Sequence, residues 1–258
     1  MNNKNKLDEF IKFLLQEKSE FDNNEEYKKF REHNSVLINT LKFLKDNQGN
    51  EIINNFIKLF DCEHKQQCEG EGKWKIDLPV IIKSKSENKE LVKIVQNHIP
   101  QNINEKKLKW VIVIAQNPNP CDDPVDTAKI KVNGEEFQLG SVLGLGHLLY
   151  TLENKKKIPE IFGLLIKLKM WPKYNLYFTD TVKCKCGKVP KSYAKRCWKW
   201  LEQEIKIINK IGKENGKVEK IFLFGDIAKT NYENIKKYIN EKNIICLTHP
   251  QGQGIGYY

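Results

Sequence analysis

Two polar turns, each at the end of an apolar run, hold the residue types best suited to chemistry. Trp110-Val111-Ile112-Val113-Ile114-Ala115 breaks into Gln116-Asn117-Pro118-Asn119-Pro120, and Ile244-Ile245-Cys246-Leu247-Thr248 breaks into His249-Pro250-Gln251-Gly252. Short apolar runs bounded by Pro and Gly predict buried parallel strands that end in tight turns. In an open α/β sheet, ligands bind at the carboxyl ends of such strands. An amide and an imidazole delivered there make a candidate active site. An Asn cannot act as a strong base, but it can hold and orient water.

The elements that must position these side chains follow from the pattern around them. From Lys109 onward, strands alternate with helices, the sign of a parallel sheet. Strands are expected at 110–115, 176–182, 220–224 and 244–248, with helices near 144–152, 194–210 and 231–240. The segment from about 6 to 61 reads as helical. Phe10, Ile11, Phe13, Leu14 and Leu15 recur at helical spacing there, as do Val36, Leu37, Leu41, Phe43 and Leu44, and then Ile52, Ile53, Phe56, Ile57 and Phe60. An apolar stretch at Leu78-Pro79-Val80-Ile81-Ile82 follows, and a helix is expected over 87–97. Residues 1–61 therefore form an N-terminal helical extension, and 62–258 an α/β domain.

Bulk properties narrow the field. The chain has 258 residues and a net charge of +11, which favours polyanionic partners such as nucleic acid over acidic ones. No apolar run approaches the roughly 18 residues that span a membrane, and the opening MNNKNKLDEF is too polar for a signal peptide. A cytoplasmic protein without membrane contact is expected. In a reducing compartment the seven cysteines are not structural disulfides, which leaves metal or cluster ligation, or burial. Cys246, inside a strand, reads as core, and Cys121 takes no role.

Three further signatures lie between the two turns: Thr179-Asp180-Thr181-Val182-Lys183-Cys184, then Cys197-Trp198-Lys199-Trp200-Leu201-Glu202-Gln203-Glu204, then Leu223-Phe224-Gly225-Asp226-Ile227-Ala228. The ordered set of five resembles the uracil-DNA glycosylase superfamily, most closely its iron–sulfur-cluster branch, over about residues 109–252. That family's order is a Gly-x-x-Pro-Gly turn, a Thr-Asn-x-x-Lys-Cys strand end, a Cys-x-x-x-Leu-x-x-Glu helix, a Leu-Gly-x-x-Ala turn and a His-Pro turn. The resemblance implies an α/β fold of three αβα layers with a four-stranded parallel sheet. It also implies a monofunctional DNA glycosylase that flips a damaged base from duplex or single-stranded DNA and hydrolyses its N-glycosidic bond, leaving an abasic site. The enzyme is expected to act as a monomer.

Residue roles come over position by position. Asn117, at the third position of the first turn, would orient the water, and His249 would donate to the pyrimidine O2 as charge gathers there. Gln116 stands where the branch carries Glu. Asp122 and Asp123 fall near the acidic pair that follows this turn in relatives. Phe137, in Gly134-Glu135-Glu136-Phe137, resembles the Phe that stacks on the flipped base, although the preceding Pro is missing and core packing competes. Asp180 replaces the family's Asn, whose amide accepts from uracil N3–H and donates to O4. An ionised Asp only accepts and suits the amine of cytosine, whereas a protonated one accepts and donates once each. Gln116, Phe137 and Asp180 make up the base-binding set.

In the iron–sulfur branch two cysteines near the N-terminus join one after the Lys and one opening the next helix. Cys62, Cys68, Cys184 and Cys197 fall in those places, four thiolates being the usual set for a [4Fe–4S] cluster. Zinc competes for the same ligands, and Cys186 for the place of Cys184. Lys183, Lys185, Lys188, Lys191, Lys195 and Arg196 crowd that loop, where they could track a DNA backbone. The substituted Asp180, the glycines replaced at Ala115 and Asn119, and the changed last turn leave three rivals open. One is a degenerate relative that binds nucleic acid without catalysis. The others are a glycosylase for a different base, and a nucleotide-binding α/β protein of another family.

Overall fold

A computed structural model describes residues 35–45, 50–64, 75–84, 89–99, 109–116, 128–132, 135–139, 152, 158, 160–185, 191–211 and 218–249. The chain opens with helices α1 (Ser35–Lys45) and α2 (Asn50–Ile57), the latter running into a 3₁₀ turn at Lys58–Asp61. Strands β1 (Lys75–Leu78) and β2 (Val80–Ile82), helix α3 (Lys89–Val95) and strand β3 (Trp110–Ala115) follow. A hairpin of β4 (Ala128–Val132) and β5 (Glu135–Leu139) precedes α4 (Glu160–Lys167), β6 (Asn175–Asp180) and the two-residue β7 (Cys184–Lys185). Helix α5 (Lys191–Ile211), β8 (Val218–Phe224), the short helices α6 (Asp226–Lys229) and α7 (Tyr232–Ile235), and β9 (Ile244–Leu247) complete the order.

The main sheet runs β2-β6-β3-β8-β9. It is a mixed five-stranded sheet rather than the four-stranded parallel one expected. β3 pairs in parallel with β6 and β8, and β8 with β9, while β2 lies antiparallel to β6. The extra strand comes from the Leu78–Ile82 apolar stretch, too short for a confident assignment by period alone. Every residue of β3 and β6 is buried, so both faces of the centre are covered, as parallel sheets require. Their uninterrupted apolar runs are the sequence counterpart of that double burial.

β9 departs from the expectation of a fully buried strand. It is the outer strand on its side, only Ile244 is buried along it, and Cys246 is exposed rather than core. With a neighbour on one side alone, its side chains are only partly covered among the described residues. The helix expected over 231–240 is reduced to the single turn of α7, because several polar residues dilute its apolar face.

A second, four-stranded sheet was not anticipated. Its order is β4-β5-β1-β7, with β1 parallel to β5 and antiparallel to β7. β1 and β2 are one run of chain divided at Pro79, whose missing N–H ends one ladder before the other begins. That run belongs to both sheets.

Helix α5 explains itself. Ala194, Cys197, Leu201, Glu204, Ile205 and Ile208 recur at three- and four-residue spacing and are all buried, while Lys195, Lys199, Lys206 and Lys210 stand outside. α1 and α2 join the same core as the sheet. The Phe43 ring packs on Trp110 at 5.7 Å between centroids. Thr40 Oγ1 donates to Ile81 O at 3.0 Å and accepts from Ile81 N at 2.9 Å, so a side chain occupies the open edge of β2 and blunts it. Asn55 Nδ2 donates to Trp200 O at 3.2 Å, tying α2 to α5. Residues 1–34, with the Phe10–Leu15 pattern, and the helix expected at 144–152, save Leu152, lie outside the described residues. Among the described residues no helix is long and apolar enough to cross a membrane.

Candidate active site

Parallel pairing puts the ends of four strands on one edge. Ala115 is in register with Asp180, Ile114 with Leu223, and Phe224 with Leu247. Backbone bonds continue past the strands: Thr181 N to Ala115 O at 2.9 Å, Val182 N to Gln116 O at 3.0 Å, and Gly225 N to Leu247 O at 2.9 Å. Gln116, Asp180, Gly225 and His249 therefore gather along that edge. They come from four of the five sequence signatures.

The fifth, on α5, meets the second inside the core. Lys183 and Glu204 form an ion pair with both side chains 1% exposed. Tyr177 OH donates to Glu204 Oε2 at 2.8 Å, Thr179 Oγ1 donates to the same atom at 2.6 Å, and Lys183 Nζ donates to Thr179 Oγ1 at 2.7 Å. Burial, and then the Glu204 carboxylate, hold the Tyr177 phenol well above its usual range. It stays a donor. A buried ion pair of this kind survives only with its remaining hydrogen bonds satisfied, and this one secures the end of β6 to α5.

Asp180 lies on the other face of β6, since successive side chains alternate. It is buried, and its carboxyl is held well above the usual range, first by burial and then by the neighbouring Asp77 carboxyl. Lys183 opposes that rise. Apart from Asp77, neither Asp180 oxygen has a hydrogen-bond partner among the described residues, and nor does the buried Thr181 hydroxyl. Sequence reasoning missed Asp77. Its one signal was a carboxylate inside an apolar run, Ile76-Asp77-Leu78-Pro79-Val80.

Gln116 turns toward the Gly225 turn. Its Oε1 accepts from Ile227 N at 3.4 Å, at the start of α6. Gly225 has φ +86 and ψ 168, a region that is essentially glycine's alone, and a Cβ there would lie 2.7 Å from Gln116 Cδ. The ends of β3 and β8 are locked by that contact. His249 is half-buried, and burial lowers its pKa. The imidazole is thus neutral near pH 7, with one N–H to donate.

Asn117, Asp122 and Asp123 lie outside the described residues, as do Cys68, Cys121 and Cys186. Phe137 falls in β5, with its backbone in register with Ile76; its side chain is also outside them. Cys184 and Cys197 are buried, Cys62 is half-buried, and none of the three is in a disulfide. Lys199 Nζ, two residues beyond Cys197, meets Glu63 Oε1 at 2.9 Å beside Cys62, so those two chain regions adjoin. Among the described residues, no three His, Cys, Asp or Glu side chains form a group that could hold a metal ion. A four-thiolate site would need Cys68 as well.

No family model matches this chain, and no curated protein matches it.

Proposed function

We propose that the protein is a DNA glycosylase of the uracil type, which hydrolyses the N-glycosidic bond of uracil or another deaminated base flipped out of DNA and leaves an abasic site. One observation carries this: five spaced signatures resembling that superfamily converge in three dimensions, four on one sheet edge and the fifth paired with the second. A three-layer αβα arrangement accords with the double burial of β3 and β6.

In the proposed mechanism the base enters at the carboxyl edge. Its glycosidic bond breaks by a largely dissociative route, so positioning counts for more than a strong base. Asn117 orients the attacking water. His249, neutral through burial, donates its N–H to the pyrimidine O2 as charge gathers there. Asp180, whose buried carboxyl favours the protonated form, accepts from the base N–H and donates to the adjacent carbonyl, as the family's amide would. Phe137 is the proposed stacking residue. Gln116 belongs to the base-binding set through its place beside the Gly225 turn. The net charge of +11 favours DNA as the partner.

Cys62, Cys68, Cys184 and Cys197 are proposed to hold a [4Fe–4S] cluster, with zinc as the competing metal. The group would staple the N-terminal segment to the loop after β6 and take no part in the bond cleavage. Iron and sulfide analysis of anaerobically purified protein tests it, and stoichiometric zinc would replace the assignment.

The decisive assay uses oligonucleotides bearing uracil, hypoxanthine, xanthine or unmodified cytosine, with alkali to reveal abasic sites. Release of a deaminated base is expected, reduced about 100- to 1,000-fold by His249→Ala, the usual effect of losing one such donor. No release of any base, with DNA still bound, would instead make this a nucleic-acid-binding relative without catalysis.

A further inference from the structure

Asp180 cannot be understood alone, because a second carboxyl is built against it. β2 runs antiparallel to β6 with Val80 opposite Phe178, Ile81 opposite Tyr177 and Ile82 opposite Leu176. Continuing that register back through Pro79 carries Leu78 and Asp77 alongside Asp180 and Thr181. Asp77 N donates to Lys183 O at 3.2 Å, which fixes β1 against the turn that follows β6. Asp77 is 4% exposed and Asp180 3% exposed. Two ionised carboxylates in that setting repel and can only accept. One proton between them turns the contact into a hydrogen bond.

We propose that Asp77 is the positioning and specificity-determining partner of Asp180: the two form an acid dyad that presents one donor and one acceptor to the lactam edge of a deaminated base, an N–H beside a C=O. The inference rests on the glycosylase reading and names the substrate class for it. Uracil and hypoxanthine carry such an edge. Cytosine and adenine carry an amine beside a ring nitrogen and would meet a donor where they need an acceptor. Thr181, with a 0% exposed and unpartnered hydroxyl next to Asp180, marks the same spot as short of hydrogen-bond partners that a base edge would supply.

The charged and titratable groups around the dyad decide its pH response. Asp77 faces Asp180 from β1, Lys183 from the turn after β6 and Glu204 from α5. Tyr177 lies on β6 itself, hydrogen-bonded to Glu204. Lys183 is engaged by Glu204 and Thr179, so its charge is largely committed elsewhere. Burial and Asp77 then favour keeping a proton on the dyad, and Lys183 only partly opposes them.

The test measures binding of the full chain to duplexes carrying 2′-fluorinated uracil or cytosine nucleotides, whose glycosidic bonds resist cleavage, from acidic to mildly alkaline pH. The wild type should prefer uracil about 10- to 100-fold and lose that preference as pH rises and the dyad ionises. Asp180→Asn should keep the preference at every pH, because an amide donates and accepts without titrating. Asp77→Asn should move the loss to lower pH, because the neighbouring charge that retains the proton is gone. Both substitutions are isosteric, and circular dichroism of each verifies the fold. A pH profile in Asp77→Asn identical to the wild type overturns the dyad, as does wild-type preference for cytosine. Should no base be released in the cleavage assay while the pH-dependent preference and both variant effects hold, the glycosylase reading falls and the dyad stands. Uracil released with a preference indifferent to Asp77 gives the reverse.

Discussion

Thr179 and Asp180 are neighbours on one strand, and each is buried, yet they sit in opposite chemical surroundings. On the Thr179 side, Lys183, Glu204 and Tyr177 close into a network in which cation meets anion and every hydroxyl donates. On the Asp180 side, a carboxyl faces another carboxyl, and a buried hydroxyl beside it lacks a partner. The saturated face is what a fold needs to hold a strand end in place. The unsaturated face is what a binding site looks like before its ligand arrives, with hydrogen-bonding capacity left over in a buried position. The alternation of a β-strand separates the two roles by a single residue.

Three substitutions test that contrast, from the largest effect to the smallest. Lys183→Met should destabilise the fold by about 3–5 kcal/mol in chemical denaturation, because it strands Glu204 as a lone buried charge. Adding Glu204→Gln should return most of that loss. If Lys183→Met is nearly neutral, the network is not what secures β6.

Gly225→Ala should cost about 1–3 kcal/mol, since the position demands a backbone that alanine disfavours and crowds Gln116. Adding Gln116→Ala should relieve the crowding and leave the backbone strain. Full recovery in the double variant would show that the contact, not the backbone, sets the requirement.

Asp180→Asn should act in the opposite sense to Lys183→Met. The folded carboxyl titrates above its unfolded value, so its stabilising contribution is complete below the ordinary Asp range near pH 4. It is lost as pH rises toward the raised value. Asn does not titrate. The variant should therefore match the wild type at acid pH and exceed it by about 1 kcal/mol at mildly alkaline pH, read from thermal melts across pH. Equal stability at both ends would mean that Asp180 is neutralised some other way.

The main sheet was legible because its central strands are apolar throughout. The runs expected at 110–115 and 220–224 lie within the observed β3 and β8, and α5 exceeds its expected span by three residues at one end and one at the other. The candidate site was legible where a strand end and a polar turn coincide, as at Gln116, Asp180 and His249. Asp77 escaped because its meaning depends on a register between 75–82 and 175–180 that no local pattern records. The second sheet escaped for a related reason: β7 is two residues long, and a ladder that short leaves no period to detect. Cys246 was misjudged because a strand's composition does not say whether it lies at the edge.

Residues 75–82 also constrain how this chain can change over time. That one stretch supplies β1 to the smaller sheet and β2 to the larger, so its length is set by two ladders at once. Losing or gaining one residue would turn a whole strand inside out in one sheet or the other, and would carry Asp77 away from Asp180. Homologous chains should accept substitutions in this stretch far more readily than insertions or deletions.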